Sequence, residues 1–363
     1  MKVKEVINYL DSIAPPEFQE NYDNCGLIVG NPENTVSGIV VCLDCTEEVI
    51  QETIEKNCNL IVAHHPIIFK GLKKINHSNY VERTVIKAIK NDINIFAIHT
   101  NLDNVIGGVN GRIADQLKLV NRRILNPSNS LLVKLVFFSP LNINEKVRQA
   151  IFDAGAGTIG AYSHCSFNST GIGTFLAGSS ANPHVGEVGK LHNEEEIKTE
   201  VVFPKHLLGK VVKAMKYAHP YEEVAYDIFP LENSFNVGSG LIGQLESPIE
   251  PNVFLKNIKS SFNTAILRHT KICKKEIKSV AVCGGVGSFL LSKAIQANAD
   301  VFISSDFKYH EFFDANNQII IADIGHFESE QYTIDLIAEG LKENFPSFAI
   351  RLTDVNTNPI NYL

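Results

Sequence analysis

The apolar positions of the chain fall into two rhythms. At the start, Val3, Val6, Ile7, Leu10 and Ile13 recur at the three-to-four spacing of a helix with one buried side. Short, nearly unbroken apolar runs then alternate with helical patterns. Gly38 to Asp44 (GIVVCLD), Asn59 to Ala63 (NLIVA) and Ile93 to Ile98 (INIFAI) predict buried strands. Between them, Thr46 caps a helix reaching Asn57, with Glu47 and Glu48 in its first turn, and another helix covers Tyr80 to Lys90. Alternation of this kind predicts an α/β core, a parallel-rich sheet with covering helices.

The texture changes after Pro127. Leu131 to Phe138 predicts a strand, Ile143 to Ala154 a helix, and Gly171 to Ala177 and Glu196 to Phe203 two strands. Pro204 starts a helix ending near Tyr217, and Glu223 to Phe229 is a last strand. The order β-α-β-β-α-β is that of a ferredoxin-like α+β unit, with the Gly/Ser-rich piece Gly155 to Gly173 as its loosest part. From Gly238 the first texture resumes. Strands fall at Leu241–Leu245, Ile277–Cys283, Asp300–Ser304 and Gln318–Asp323, followed by a helix from Phe327 to Glu343 and a short strand at Phe348–Leu352. The expected organisation is an α/β core in two parts, 1–125 and 236–363, interrupted by a ferredoxin-like insert at 126–235.

Composition narrows the function classes. The 363 residues suit two to three domains, and 44% hydrophobic with 20% charged residues excludes a disordered or fibrous chain. Thirty-three Lys and Arg against 40 Asp and Glu leave a net charge of −7, which argues against a surface that coats nucleic acid. An odd seven Cys do not make a secreted disulfide framework. The start, MKVKEVI, carries charges where a signal peptide needs an apolar core, and no run approaches the ~18 apolar residues of a membrane span. The expectation is a soluble cytoplasmic protein without a membrane partner.

The candidate chemistry sits just past three predicted strands. His64 and His65 follow NLIVA, at the carboxyl end where open α/β sheets place ligands. Neighbouring extended residues point to opposite sides, so the pair can reach two metal ions, or one metal and one hydrogen-bond partner. The strand INIFAI runs into His99, Asn101 and Asp103, which share a face if the chain stays extended. QIIIAD leads to His326 and Glu330, four apart and on one helix face, with Glu328 turned away. Each has a plain alternative: a core histidine, a turn residue before Gly107-Gly108, a first-turn surface pair. Their recurrence beyond strand ends favours a metal site. Five ligands, His64, His65, Asp103, His326 and Glu330, exceed one open tetrahedral zinc and suit two ions.

Other features are weaker. Lys308 and His310, after the strand DVFIS, could contact an anionic substrate or act with His99 as general acid and base; a solvated loop capped by Asp306 is the alternative. Cys283-Gly284-Gly285-Val286-Gly287-Ser288 fits neither G-x-G-x-x-G nor a Walker loop, so tight-turn glycines are the economical explanation. Cys42 and Cys45 form a C-x-x-C without a second pair, and extended geometry turns their thiols apart.

The stretches NYDNCGLIVG (21–30), VAHHPIIF (62–69), AIHTNLD (97–103), HPYEEVAYDI (219–228), VCGGVGS (282–288), SSDFKYHEFFDA (304–315) and DIGHFESE (323–330) resemble the NGG-interacting-factor-three-like proteins, also labelled dinuclear-metal-centre hexameric proteins or GTP cyclohydrolase 1 type 2 homologues. The resemblance spans essentially the whole chain. It implies an α/β core with a dinuclear centre held by the same five residues, a toroidal homohexamer, and a PII/CutA-like insert that covers an opening of the ring. Zinc suits such ligands, as do iron, manganese and nickel. Two functions follow as expectations: a metal-dependent hydrolase of a nucleotide-like or phosphorylated small molecule, such as the ring opening of GTP, or a metal-binding ring scaffold that contacts macromolecules such as DNA.

Overall fold

The opening helical rhythm folds as α1 (Val3–Ile13), burying Val3, Val6 and Leu10, in a computed structural model that describes all 363 residues. Then come β1 (Gly26–Val29), β2 (Ile39–Cys42), α2 (Glu47–Glu55), β3 (Leu60–Ala63), α3 (Tyr80–Lys90), β4 (Asn94–Ala97), α4 (Thr100–Asp103), α5 (Val109–Gln116) and β5 (Val120–Pro127). The Thr46 hydroxyl caps α2 by accepting from the Val49 N–H at 3.4 Å. That helix stops before Asn57, whose φ of 54° leaves the helical region. The middle of the chain supplies β6 (Leu132–Pro140), α6 (Asn144–Asp153), β7 (Phe167–Leu176), β8 (Leu191–Pro204), α7 (Leu208–Ala218) and β9 (Tyr226–Leu231). The remainder supplies β10 (Gly238–Ile249), α8 (Pro251–Ser261), β11 (Arg268–His269), β12 (Ile277–Val286), α9 (Leu291–Gln296), β13 (Val301–Ser305), β14 (Ile320–Asp323), α10 (His326–Glu330), α11 (Thr333–Asn344) and β15 (Ile350–Leu352). The single helix expected at 327–343 is two, α10 and α11. No helix is long and apolar enough to cross a membrane.

Two compact units result, Met1–Pro127 with Asn236–Leu363, and Ser128–Phe235. The first contains two mixed sheets. One runs β1-β4-β3-β2-β15, with β4, β3, β2 and β15 parallel and β1 antiparallel at the edge. The other runs β11-β14-β13-β12-β10-β5, with a parallel centre of β14, β13 and β12. Strands β2, β3, β4 and β14 are buried at every residue, as parallel strands covered on both faces must be. A shared core joins Val41, Leu60 and Val62 of one sheet to Val280, Val301 and Ile320 of the other through α1, α5, α8 and α11. On its other face the first sheet is covered by α2 and α3, with Val49, Ile50 and Val85 packed on Val40, Ile61 and Ile95.

The second unit keeps the β-α-β-β-α-β order. Its sheet runs β7-β8-β6-β9 with every neighbour antiparallel. Val133, Leu135 and Phe137 of β6 and Val201 and Phe203 of β8 meet Val147 and Ile151 of α6 and Val211 and Met215 of α7 in a core of its own. His219 is structural: its Nε2 lies 2.9 Å from the Phe138 carbonyl, and its Nδ1 accepts from the Tyr221 N–H. Expressed alone, residues 128–235 should melt in one cooperative transition. Phe203→Ala, at a fully buried position, should lower that fragment's stability by about 3–5 kcal/mol in denaturant titration.

Candidate metal centre

Three parallel strands that end level build the site. Cys42 of β2 pairs with Ala63 of β3, and Ala63 with Ala97 of β4. The second residues beyond those ends are Asp44, His65 and His99, which therefore stand side by side. The His65 and His99 rings lie 5.2 Å apart, and Asp44 Oδ1 is 2.7 Å from His65 Nδ1. His64, one residue earlier, turns inward and is fully buried, its ring 4.9 Å from that of His65.

Asp103 arrives by a different path from the extended one expected. The chain after His99 turns at once into α4, and the Asn101 side chain folds back to accept from the His99 N–H at 2.9 Å and donate to the Ala14 carbonyl. One helical turn, not strand alternation, carries Asp103 to His64, its Oδ1 3.6 Å from His64 Nε2. The second sheet delivers the rest. Gly325, at φ 94°, precedes α10, and the four-residue spacing sets His326 Nε2 3.2 Å from Glu330 Oε2. The same oxygen is 2.9 Å from His65 Nε2. Gly285, at φ 61°, has no room for a side chain: a Cβ there would strike Glu330 Oε1 and stand 3.2 Å from His326. The Gly284 and Gly285 N–H groups donate to Asn110 and Ser329, so this turn holds the fold and not a phosphate.

All four imidazoles are oriented alike. His64 Nδ1 donates to the Ile98 carbonyl at 2.8 Å; His65, His99 and His326 donate Nδ1–H to Asp44, Asp23 and Asp306 at 2.7, 2.8 and 2.6 Å. Anchoring one ring nitrogen this way leaves the other to a ligand, the arrangement usual around metal-bound histidines. Two atoms are left over. His64 Nε2 and Asp103 Oδ1 are buried and have no hydrogen-bond partner, which costs free energy unless something else satisfies them. Two groups of potential ligand atoms converge here, His64 with His65 and His99, and His65 with His326 and Glu330, so the site is one that a cation fits. The donors are imidazole and carboxylate, the set that suits divalent transition metals.

The electrostatics agree. Burial lowers His64 to about 3, so it is neutral, as a metal ligand must be. Burial, and then the negative charge of Glu330, push the Asp103 carboxyl well above its ordinary range. Burial opposes the charge on Glu330, but hydrogen bonds from His326 and His65 outweigh it and hold the carboxyl well below. Two carboxylates sharing one site cannot both ionise freely, so the one with hydrogen-bond donors, Glu330, keeps its charge and Asp103 is pushed up.

A cavity of about 460 Å³ opens over these groups, walled by Tyr22, Phe69, Phe289 and Ile360 among others. His99 lines it; Lys308 and His310 do not. They lie exposed beyond β13, Lys308 at the start of the 3₁₀ helix Tyr309–Ala315 and His310 within it, where the Lys308 N–H bonds Glu311. Asp306, expected as a cap, serves His326 instead. Cys42 and Cys45 are both buried in the same apolar cluster, because β2 ends at Cys42 and strand alternation does not reach Cys45. Sequence reasoning missed Asp23 and Asp44 as anchors. The available signal was position, since Asp44 follows its strand at the same offset as His65 and His99.

A two-sheet α/β core with a histidine and carboxylate cluster at its strand ends defines a class of candidate metal proteins. The family model Duf34/NIF3 (NGG1p interacting factor 3) matches residues 1–359, and the chain belongs to this family. It is 36% identical to a GTP cyclohydrolase 1 type 2 homolog of Bacillus subtilis, over 99% of this chain and 98% of that one. A protein of the same name from Halalkalibacterium halodurans is 37% identical over 99% and 98%. Among solved structures, a Bacillus cereus protein related to NIF3 superposes with a TM-score of 0.87 at 36% identity, covering 100% and 99% of the two chains.

The metal-free site carries a pH signature. Burial works against the imidazolium forms of His65 and His326, but hydrogen bonds outweigh it, from Asp44 and Glu330 to His65 and from Asp306 and Glu330 to His326. They raise the two to about 10 and about 11. Unfolded histidines titrate near ~6.5. The stabilising contribution is therefore complete below that value and is lost as pH rises through 10 to 11. Melting of chelator-treated protein should shift to lower temperature between pH 7 and pH 10, and His65→Gln should flatten that slope. An unchanged slope would remove this assignment.

Proposed function

We propose that the protein binds two divalent transition-metal ions per chain through His64, His65, Asp103, His326 and Glu330, and is a metal-dependent hydrolase of a nucleotide-like or phosphorylated small molecule, assembled as a toroidal homohexamer. The observation that carries this reading is the pair of buried, unpartnered atoms, His64 Nε2 and Asp103 Oδ1, beside the triad of His65, His326 and Glu330. Zinc is the first candidate; iron, manganese and nickel share the ligand preference. When bound, such a pair of ions supplies Lewis-acid polarisation and a water of lowered pKa.

The chain's own residues do the rest. Asp44 and Asp306 orient two ligands from behind. The Asp23 side chain is shielded from solvent, accepts from His99 Nδ1 and the Thr100 N–H, and keeps the other His99 nitrogen available to hold or move a proton at the cavity wall. Tyr22, Phe69 and Phe289 give a planar ligand apolar faces to lie on. The name carried by the relatives, GTP cyclohydrolase 1 type 2 homolog, supports a nucleotide-like substrate. The five ligands give an active, open character to the reading: closed structural zinc sites use four Cys or His ligands, and no Cys belongs to this set.

Elemental analysis of protein purified without chelator should find about two ions per chain, and His64→Ala, Asp103→Ala or Glu330→Ala should lose occupancy. Full occupancy in such a variant would remove that ligand. His99→Ala should keep both ions and lower turnover ~10²–10⁴-fold. A metal-loaded protein inert toward nucleotides, phosphoesters and cyclic amides would contradict the hydrolase reading.

A further inference from the structure

Beyond β15 the chain runs from Thr353 to Leu363 without regular structure, and its first part is tied to the fold while residues 359–363 are exposed. Its start is pinned by Glu52 of α2, a buried carboxylate that accepts from the Thr353 hydroxyl and, at 2.7 Å, from the Asp354 N–H. Thr357 then donates its hydroxyl to Asp44 Oδ2 at 2.9 Å. The other oxygen of that carboxylate is the one that holds His65 Nδ1 at 2.7 Å. Pro359 and Ile360 follow and line the cavity beside His65 and Asp44.

The chemistry of Asp44 explains why the contact matters. An aspartate side chain rotates readily about its last bond. Asp44 is a third exposed, so water competes for whichever oxygen is free. Held only by His65, the carboxylate would be free to turn, and the imidazole would lose one of its two anchors, keeping only Glu330 at Nε2. A hydroxyl on the second oxygen fixes both.

We propose that the segment Thr353–Leu363 is a strap that completes the centre: Thr357 is a positioning residue acting through Asp44 on His65, and Pro359 and Ile360 form a wall for whatever binds there. Its consequence for metal rests on the two-metal reading above; the positioning of His65 does not.

The test uses the full chain. Thr357→Val keeps the shape and removes the hydroxyl, and Thr357→Ser restores it. In metal-free protein, the His65 Nδ1 proton should be visible by NMR as slowly exchanging in wild type and the Ser variant, and broadened by exchange in the Val variant. With zinc as the probe, affinity should fall ~10–100-fold in the Val variant and return with Ser. A chain ending at Asn356 should behave like the Val variant. Equal proton protection in wild type and Thr357→Val overturns the strap. A variant that melts lower yet keeps both the protected proton and wild-type zinc affinity also overturns it, since its role is then only structural. Wild type that binds no zinc overturns the two-metal reading alone, and the proton measurement still decides the strap.

Discussion

The level ending of β2, β3 and β4 is the constraint on which the site depends. Because Cys42, Ala63 and Ala97 are paired across the sheet, equal offsets beyond them bring an aspartate and two histidines into contact. A slip of one residue in β3 would exchange the sides taken by His64 and His65. His64 would leave its carbonyl and Asp103, and His65 would leave Asp44 and Glu330. These strands are buried at every residue, so a slip would be felt at the polar residues beyond their ends and not within the strands.

Burial then leaves the cluster with unsatisfied polar atoms. Four imidazoles and two carboxylates gather where water is scarce, and the protein spends carbonyl and carboxylate acceptors on each Nδ1. It leaves His64 Nε2 and Asp103 Oδ1 buried, 3.6 Å apart and without a hydrogen-bond partner. Side chains so placed are costly in a protein that never binds a cation and well adapted in one that does.

Much of this was legible in the sequence because it is local. Apolar runs gave the strands of the α/β core, alternation of texture gave the β-α-β-β-α-β segment, and positions just past strand ends pointed to His64, His65, His326 and Glu330. What was not legible is long-range. The core is two mixed sheets joined by one interior, because β15 pairs with β2 and β10 with β5, and pairings over such distances leave no local trace. Extended geometry, which would put Asp103 on the face of His99, is not what the chain adopts; a helical turn brings Asp103 to His64. Lys308 and His310 looked close by strand position and lie outside the cavity, because the segment after β13 carries them to the surface. Thr357, with no predicted element around it, could be found only through its bond to Asp44.

The most direct test of the central claim is anomalous diffraction from crystals of metal-loaded protein, recorded at the absorption edge of the metal. The account predicts two peaks per chain, one between His64 and Asp103 and one among His65, His326 and Glu330. A site without anomalous density, or metal held by other residues, would contradict it.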